Sequence, residues 1–148
     1  MSDSTPAPGE PTPEDRRSIE LTRVASNHYR ATASSGASIE FGRGEGLMTP
    51  VELLLAALAG CSSIDVDTVT SRHTEPTEFT VTASGRKIEE DGANRMGDLH
   101  LAFSLAFADD AEGQKAAKLA ERLVQLSHDR YCTVSRTIEQ GARVTFEV

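Results

Sequence analysis

Two side chains in this sequence have the type and setting for redox or nucleophilic chemistry. Cys61 lies in LLLAALAGCSSID (Leu53 to Asp65), and Cys132 lies in SHDRYCTVSRTI. A thiolate attacks peroxides and disulfides, whereas a thiol packed among aliphatic side chains is usually an inert filler. The two cysteines are too widely separated for a CxxC redox motif or a clustered zinc site, so any pairing has to be made by the fold. The four histidines, His28, His73, His100 and His128, have no partners at helical metal-ligand spacing, and a zinc site is not expected. No GxSxG, P-loop or GxGxxG pattern occurs.

On a helix, Leu54, Leu58, Cys61 and Asp65 fall on one face. An apolar wall and a carboxylate one turn away both disfavour a thiolate. A reactive Cys61 therefore needs a cation supplied by tertiary structure, and Arg23, Arg30, Arg43, Arg130 and Arg136 are the candidates. Cys132 sits in a more cationic neighbourhood, with His128, Arg130 and Arg136 close in sequence. Asp65 and Asp67 read as a solvated or interface face rather than an acid–base pair. The residues alone leave two options open: a thiol couple, or two core fillers.

The elements that must position these groups follow from pattern. SIELTRV, NHYRATAS and ASIEFG alternate and predict three strands, with a turn at Ala25-Ser26-Asn27 and another after Ser35-Gly36. The glycine-bearing loop GRGEGLM follows. TPVE then predicts a helix start, with Thr49 as N-cap, Pro50 in the first turn and Glu52 closing a capping box. That helix is expected to run from Pro50 to about Arg72, with its first half apolar all round and so buried all round. EFTVTASGRKI and DLHLAFSLAF alternate and predict a hairpin joined by the loop EEDGANRMG. Phe79, Val81 and Ala83 share one face there, and Leu99, Leu101, Phe103, Leu105 and Phe107 another. A second helix starts at Asp109 or Asp110, with its stripe at Ala116, Leu119, Ala120, Leu123 and Leu126. YCTVSRTIEQG adds a short helix ended by Gly141, and ARVTFEV is expected to close the chain as a strand. Strands cluster around single helices, so the fold class is α+β.

The bulk numbers set limits. The chain has 148 residues, 38% hydrophobic and 26% charged, which fits one globular domain. A net charge of −8 argues against nucleic acid and against anionic membrane surfaces. The opening MSDSTPAPGEPTPEDRR has neither a basic n-region nor an apolar h-region, and residues 1–17 read as a disordered Pro-rich acidic tail ahead of a domain over 18–148. The apolar run Val51 to Cys61 is well short of the ~20 residues of a bilayer span. A cytoplasmic location is expected, where thiols stay reduced. A helix that is apolar all round is hard to bury in a chain this size, and a homodimer would complete its burial.

TPVELLLAALAGCSSIDV resembles the central-helix motif of the OsmC/Ohr family of hydroperoxide reductases, and SHDRYCTVS resembles that family's second-cysteine segment. The likeness covers about residues 18–148 and is greatest to a less characterised OsmC-like branch. It implies antiparallel sheets around a long buried central helix, in an intertwined homodimer with active sites at the subunit interface. It implies thiol-dependent reduction of organic hydroperoxides without a metal or flavin cofactor. Cys61 would be the peroxidatic residue and Cys132 the resolving one, with an external dithiol reductant and an apolar substrate pocket around Cys61. The family glutamate after the helix proline is replaced by Val51, with Glu52 one place on. Arg43, in FGRGEG, is the nearest counterpart of the family's catalytic arginine, and Arg130 is a second candidate. Thr133 stands where the family has proline after the second cysteine. A small-ligand binding or redox-sensing module is the alternative on the same fold. A purely structural dimer with Cys61 as filler is a third reading.

Overall fold

The computed structural model describes residues 15–148, so most of the expected tail lies outside the described residues. The chain divides into two compact units, one ending at Pro50 and one beginning at Val51.

The first unit is a three-stranded antiparallel sheet in the order β1-β2-β3, from β1 (Ile19–Ala25), β2 (His28–Ala33) and β3 (Ser38–Gly42). The β1–β2 turn places Asn27 at φ 56°, a left-handed conformation that Asn tolerates better than most residues. Gly42 is required next to it. Its φ is 153°, and a Cβ there would run into the Asn27 carbonyl oxygen, which accepts a hydrogen bond from Arg43 N–H at 2.8 Å. Tyr29 pairs with Phe41 across β2–β3, with ring centroids 6.2 Å apart. On the other face of that pair, the Glu40 carboxylate accepts from Arg30 at 2.6 Å and bonds His28 at 2.7 Å. The Arg30 bond, more than the His28 bond, holds that carboxyl below its ordinary range. Arg30 is thus committed to Glu40.

The second unit opens with α1 (Pro50–Thr70), which begins at the proline the sequence predicts. Its buried residues are Leu58, Ser62, Val66 and Thr70, a single stripe at four-residue spacing. A single chain does not by itself supply the expected all-round burial. Within this chain Val51 is 44%, Leu54 37% and Ile64 67% exposed. By length and composition alone α1 could cross a bilayer, but the core helix of a soluble protein passes the same test.

A long hairpin follows, from β4 (Glu78–Glu90) and β5 (Ala93–Ala106). It is tighter than the sequence reading allowed. Most of the expected loop is strand, and the reversal is made by Asp91-Gly92 alone, at φ 52° and 76°. Two successive positive φ values give the twist that matches paired strands, which is why Asp-Gly serves here. Phe79 pairs with Leu105, Val81 with Phe103 and Ala83 with Leu101, so the expected apolar residues share the half-buried face. The register shifts between Ser84 and Arg86, opposite Asp98 at φ 52°.

Helix α2 (Ala111–Leu126) is capped by Asp110, whose side chain accepts from Gly113 N–H at 2.7 Å. Its inner face is Gly113, Ala116 and Ala120. At its end the helix widens into a π-turn over Ser127–Tyr131, and α3 (Thr133–Gln140) follows with Cys132 as its N-cap. The expected final strand ARVTFEV is not formed. Residues 142–148 are irregular, with Val144 87% and Phe146 92% exposed. A strand exists only where a neighbouring backbone pairs it, and none of the described residues does so here.

Candidate thiol site

The site is built where α1 meets the π-turn. Cys61 is half-buried on the flank of the α1 stripe, and the next residue, Ser62, points inward. Cys132 is fully buried. The fold brings Cys61 near enough to Cys132 to raise the Cys132 pKa, which their sequence separation could not reveal.

Burial is the main reason the Cys132 thiol titrates above the ordinary range. The Ser135 N–H, donating to Cys132 Sγ at 3.3 Å, opposes that shift. The nearby Cys61 thiol and Asp65 carboxylate add to it. Near neutral pH Cys132 is therefore a protonated thiol. The helix-start position that often activates a cysteine is overridden here by desolvation.

Behind the thiols runs a buried polar chain. Ser127 Oγ donates to Asp65 Oδ2 at 2.6 Å, and Ser62 Oγ lies 3.0 Å from Ser127 Oγ. Ser127 is fully buried and Ser62 nearly so. Asp65, read from sequence as a solvated or interface residue, is half-buried and bonded to the Ser127 hydroxyl.

The other predicted residues fall as follows. Arg43 belongs to the first unit, in the turn after β3. Arg136 Nη1 donates to the Asp129 carbonyl at 3.2 Å, and Arg130 and Arg136 line a surface hollow with Thr133 and Thr137. No guanidinium is among the groups that shift Cys132. Among the described residues, no group of three or more His, Cys, Asp or Glu side chains is placed to hold a metal ion.

A cavity of about 420 Å³ lies next to the polar chain, between α1, β5, α2 and α3. Leu58, Leu101, Phe103 and Ile138 supply apolar wall, and Ser62 and His128 polar edge. Neither cysteine lines it, and it lies on the Ser62 side of α1. His128 bonds Asp129 Oδ1 at 3.0 Å and Glu139 Oε1 at 3.1 Å. These bonds, Asp129 first, raise its pKa against a small opposing effect of burial. A histidine raised by folding stabilises the protein fully below its unfolded pKa, about 6.5, and that stabilisation is lost as pH rises through the folded value. Titration of the His128 ring followed by NMR is expected to show a midpoint above the ordinary histidine value, and Glu139→Gln is expected to bring it down. An unchanged midpoint in Glu139→Gln would remove Glu139 as a cause.

The family model for OsmC-like protein matches residues 42–147, well over half of the chain and all of the thiol site. The chain belongs to the OsmC-like family. Uncharacterised proteins of Mycobacterium tuberculosis H37Rv and Mycobacterium bovis are each 27% identical to it over 131 residues, covering 86% of this chain and 93% of theirs. Among solved structures, a hypothetical protein of Aquifex aeolicus VF5 superimposes with a TM-score of 0.68 at 21% identity, covering 86% of this chain and 89% of that one. The organic hydroperoxide resistance protein OhrB of Bacillus subtilis does so with a TM-score of 0.52 at 20% identity, covering 81% and 89%. These similarities establish the OsmC-like α+β fold. Sequence reading had found both thiols through the family motif. It missed Ser127 and the π-turn, because a serine between helices carries no pattern of its own.

Proposed function

We propose that this protein reduces organic hydroperoxides with Cys61 as the attacking thiol and Cys132 as the resolving thiol. The observation that carries this reading is a half-buried Cys61 near enough to the fully buried Cys132 to raise its pKa. Attack needs access, and Cys61 is the more exposed of the two. Its thiolate takes the outer oxygen of the peroxide, the O–O bond breaks, and the departing alkoxide takes up a proton to leave as alcohol. Cys61 is then a sulfenic acid. Cys132 sulfur displaces its hydroxyl, which leaves as water with the Cys132 proton, and a disulfide forms. An external dithiol reduces that disulfide by two exchanges and becomes a disulfide itself.

The family resemblance supplies Arg43 as the cation that favours the Cys61 thiolate. It also supports a cytoplasmic protein without a membrane partner. A homodimer is part of the same reading, because the exposed apolar residues of α1 and residues 142–148 lack cover in a single chain. Light scattering at micromolar concentration is expected to give twice the 15.9 kDa chain mass, and a monomer would count against this.

The test is multiple-turnover consumption of cumene hydroperoxide with dithiothreitol or dihydrolipoamide as reductant. Many equivalents consumed, with slower consumption of hydrogen peroxide, is the expected result. The cavity that neither thiol lines favours a second reading, a ligand-binding or sensing module. That reading predicts one equivalent or less.

A further inference from the structure

The polar chain behind the thiols has no part in the chemistry above, and its geometry is specific. Ser127 reaches both thiol-bearing segments at once. Its hydroxyl donates to Asp65 at 2.6 Å and lies 3.0 Å from Ser62 Oγ, on the turn of α1 that carries Cys61. Its carbonyl accepts the N–H of Cys132 at 2.8 Å. That second bond spans five residues, and it is the π-turn that creates it. In an α-helical continuation Cys132 N–H would bond the His128 carbonyl instead, and the cysteine would face another direction. π-turns are rare and cluster at functional sites because they re-aim a side chain at the cost of regular geometry.

We propose that Ser127 is the positioning residue that registers Cys132 against Cys61, its side chain holding α1 while its main chain holds the resolving cysteine. The inference rests on the thiol reading above and adds a residue to it. Ser127 touches no substrate. It acts by raising the effective concentration of one thiol at the other, which governs how readily the disulfide forms. Asp65 is the anchor of the clamp, since its carboxylate accepts the hydrogen bond of the Ser127 hydroxyl. In Asp65→Asn an amide oxygen remains to accept it. In Asp65→Ala nothing does.

The experiment is the redox equilibrium of the full-length chain in dithiothreitol buffers of graded oxidation, with the intramolecular disulfide quantified by alkylation and mass. Ser127→Ala is expected to lower the equilibrium constant for disulfide formation about tenfold, equivalent to about 30 mV for a two-electron couple. Asp65→Ala is expected to lower it similarly, and Asp65→Asn to stay within about twofold of wild type. Because one clamp is lost in either case, the Ser127→Ala/Asp65→Ala double variant should lose no more than the larger single effect. A residue that only stabilises the fold would lower the melting temperature and leave the constant in place. An unchanged constant in Ser127→Ala, with wild type forming the disulfide, overturns the clamp and leaves the thiol reading standing. Wild type that forms no intramolecular disulfide overturns both. If Ser127→Ala does not fold, Asp65→Ala compared with Asp65→Asn decides, and equal constants in those two overturn the clamp.

Discussion

Cys61→Ser is expected to abolish hydroperoxide turnover, by about a thousandfold or more, with little change in melting temperature. The hydroxyl of serine is not ionised at neutral pH, so the nucleophile is removed while the volume at a half-buried site is nearly kept. Cys132→Ser should behave differently. The first peroxide is still reduced, because Cys61 is intact, but the sulfenic acid has no neighbour to condense with. The expected result is about one fast equivalent of peroxide consumed, a sulfenic acid on Cys61 trapped by dimedone, and slow turnover thereafter. The raised Cys132 pKa supports this division of labour, since a buried protonated thiol is a poor first nucleophile. In the same assay Arg43→Ala is expected to slow the first, peroxide-reducing step, as the family resemblance implies. Equal rates in wild type and Cys61→Ser would sink the peroxidase reading. Equal rates in wild type and Cys132→Ser would leave Cys61 active but remove the resolving role.

Gly113→Ala should be among the most destabilising small substitutions outside the thiol site. Gly113 lies in the first turn of α2, and a Cβ there would collide with the carbonyl oxygen and carbon of Ala108. Backbone cannot rotate aside as a flexible side chain can, so the segment before the helix must shift. The shift also strains the Asp110 cap, whose acceptor bonds Gly113 N–H itself. Overpacking of this kind costs about 1–3 kcal/mol and loss of a cap about 1 kcal/mol. A combined loss of about 2–4 kcal/mol is expected in urea denaturation, against about 1 kcal/mol for Asp110→Ala, which removes the cap alone. A Gly113→Ala chain as stable as wild type would mean that the Ala108 segment yields freely. Because α2 leads into the π-turn, Gly113→Ala also tests whether an insult at one end of the helix reaches Ser127 at the other. Its stability should fall while its disulfide constant stays in place, whereas Ser127→Ala should lower the constant itself.

Local chemistry made much of this fold legible in the sequence. Pro50 marked the start of α1, and alternation placed Phe79, Val81, Leu101 and Phe103 on one face of the hairpin. Both patterns are written by neighbours in sequence, through backbone restriction and the two-residue repeat of a strand. The two-residue Asp91-Gly92 turn was not read, because the polar residues around it disguised strand as loop. The final strand failed for the opposite reason. ARVTFEV has the right alternation, but strand formation depends on a partner backbone that the sequence does not name. The family motif identified Cys61 and Cys132 as candidates. Only tertiary structure brought them near each other, buried one and left the other half-open, because burial and proximity are set by packing between distant segments. The same holds for Asp65. Its charge suggested solvent or an interface, and only the fold gave its half-buried carboxylate a partner in the hydroxyl of Ser127, far away in the chain.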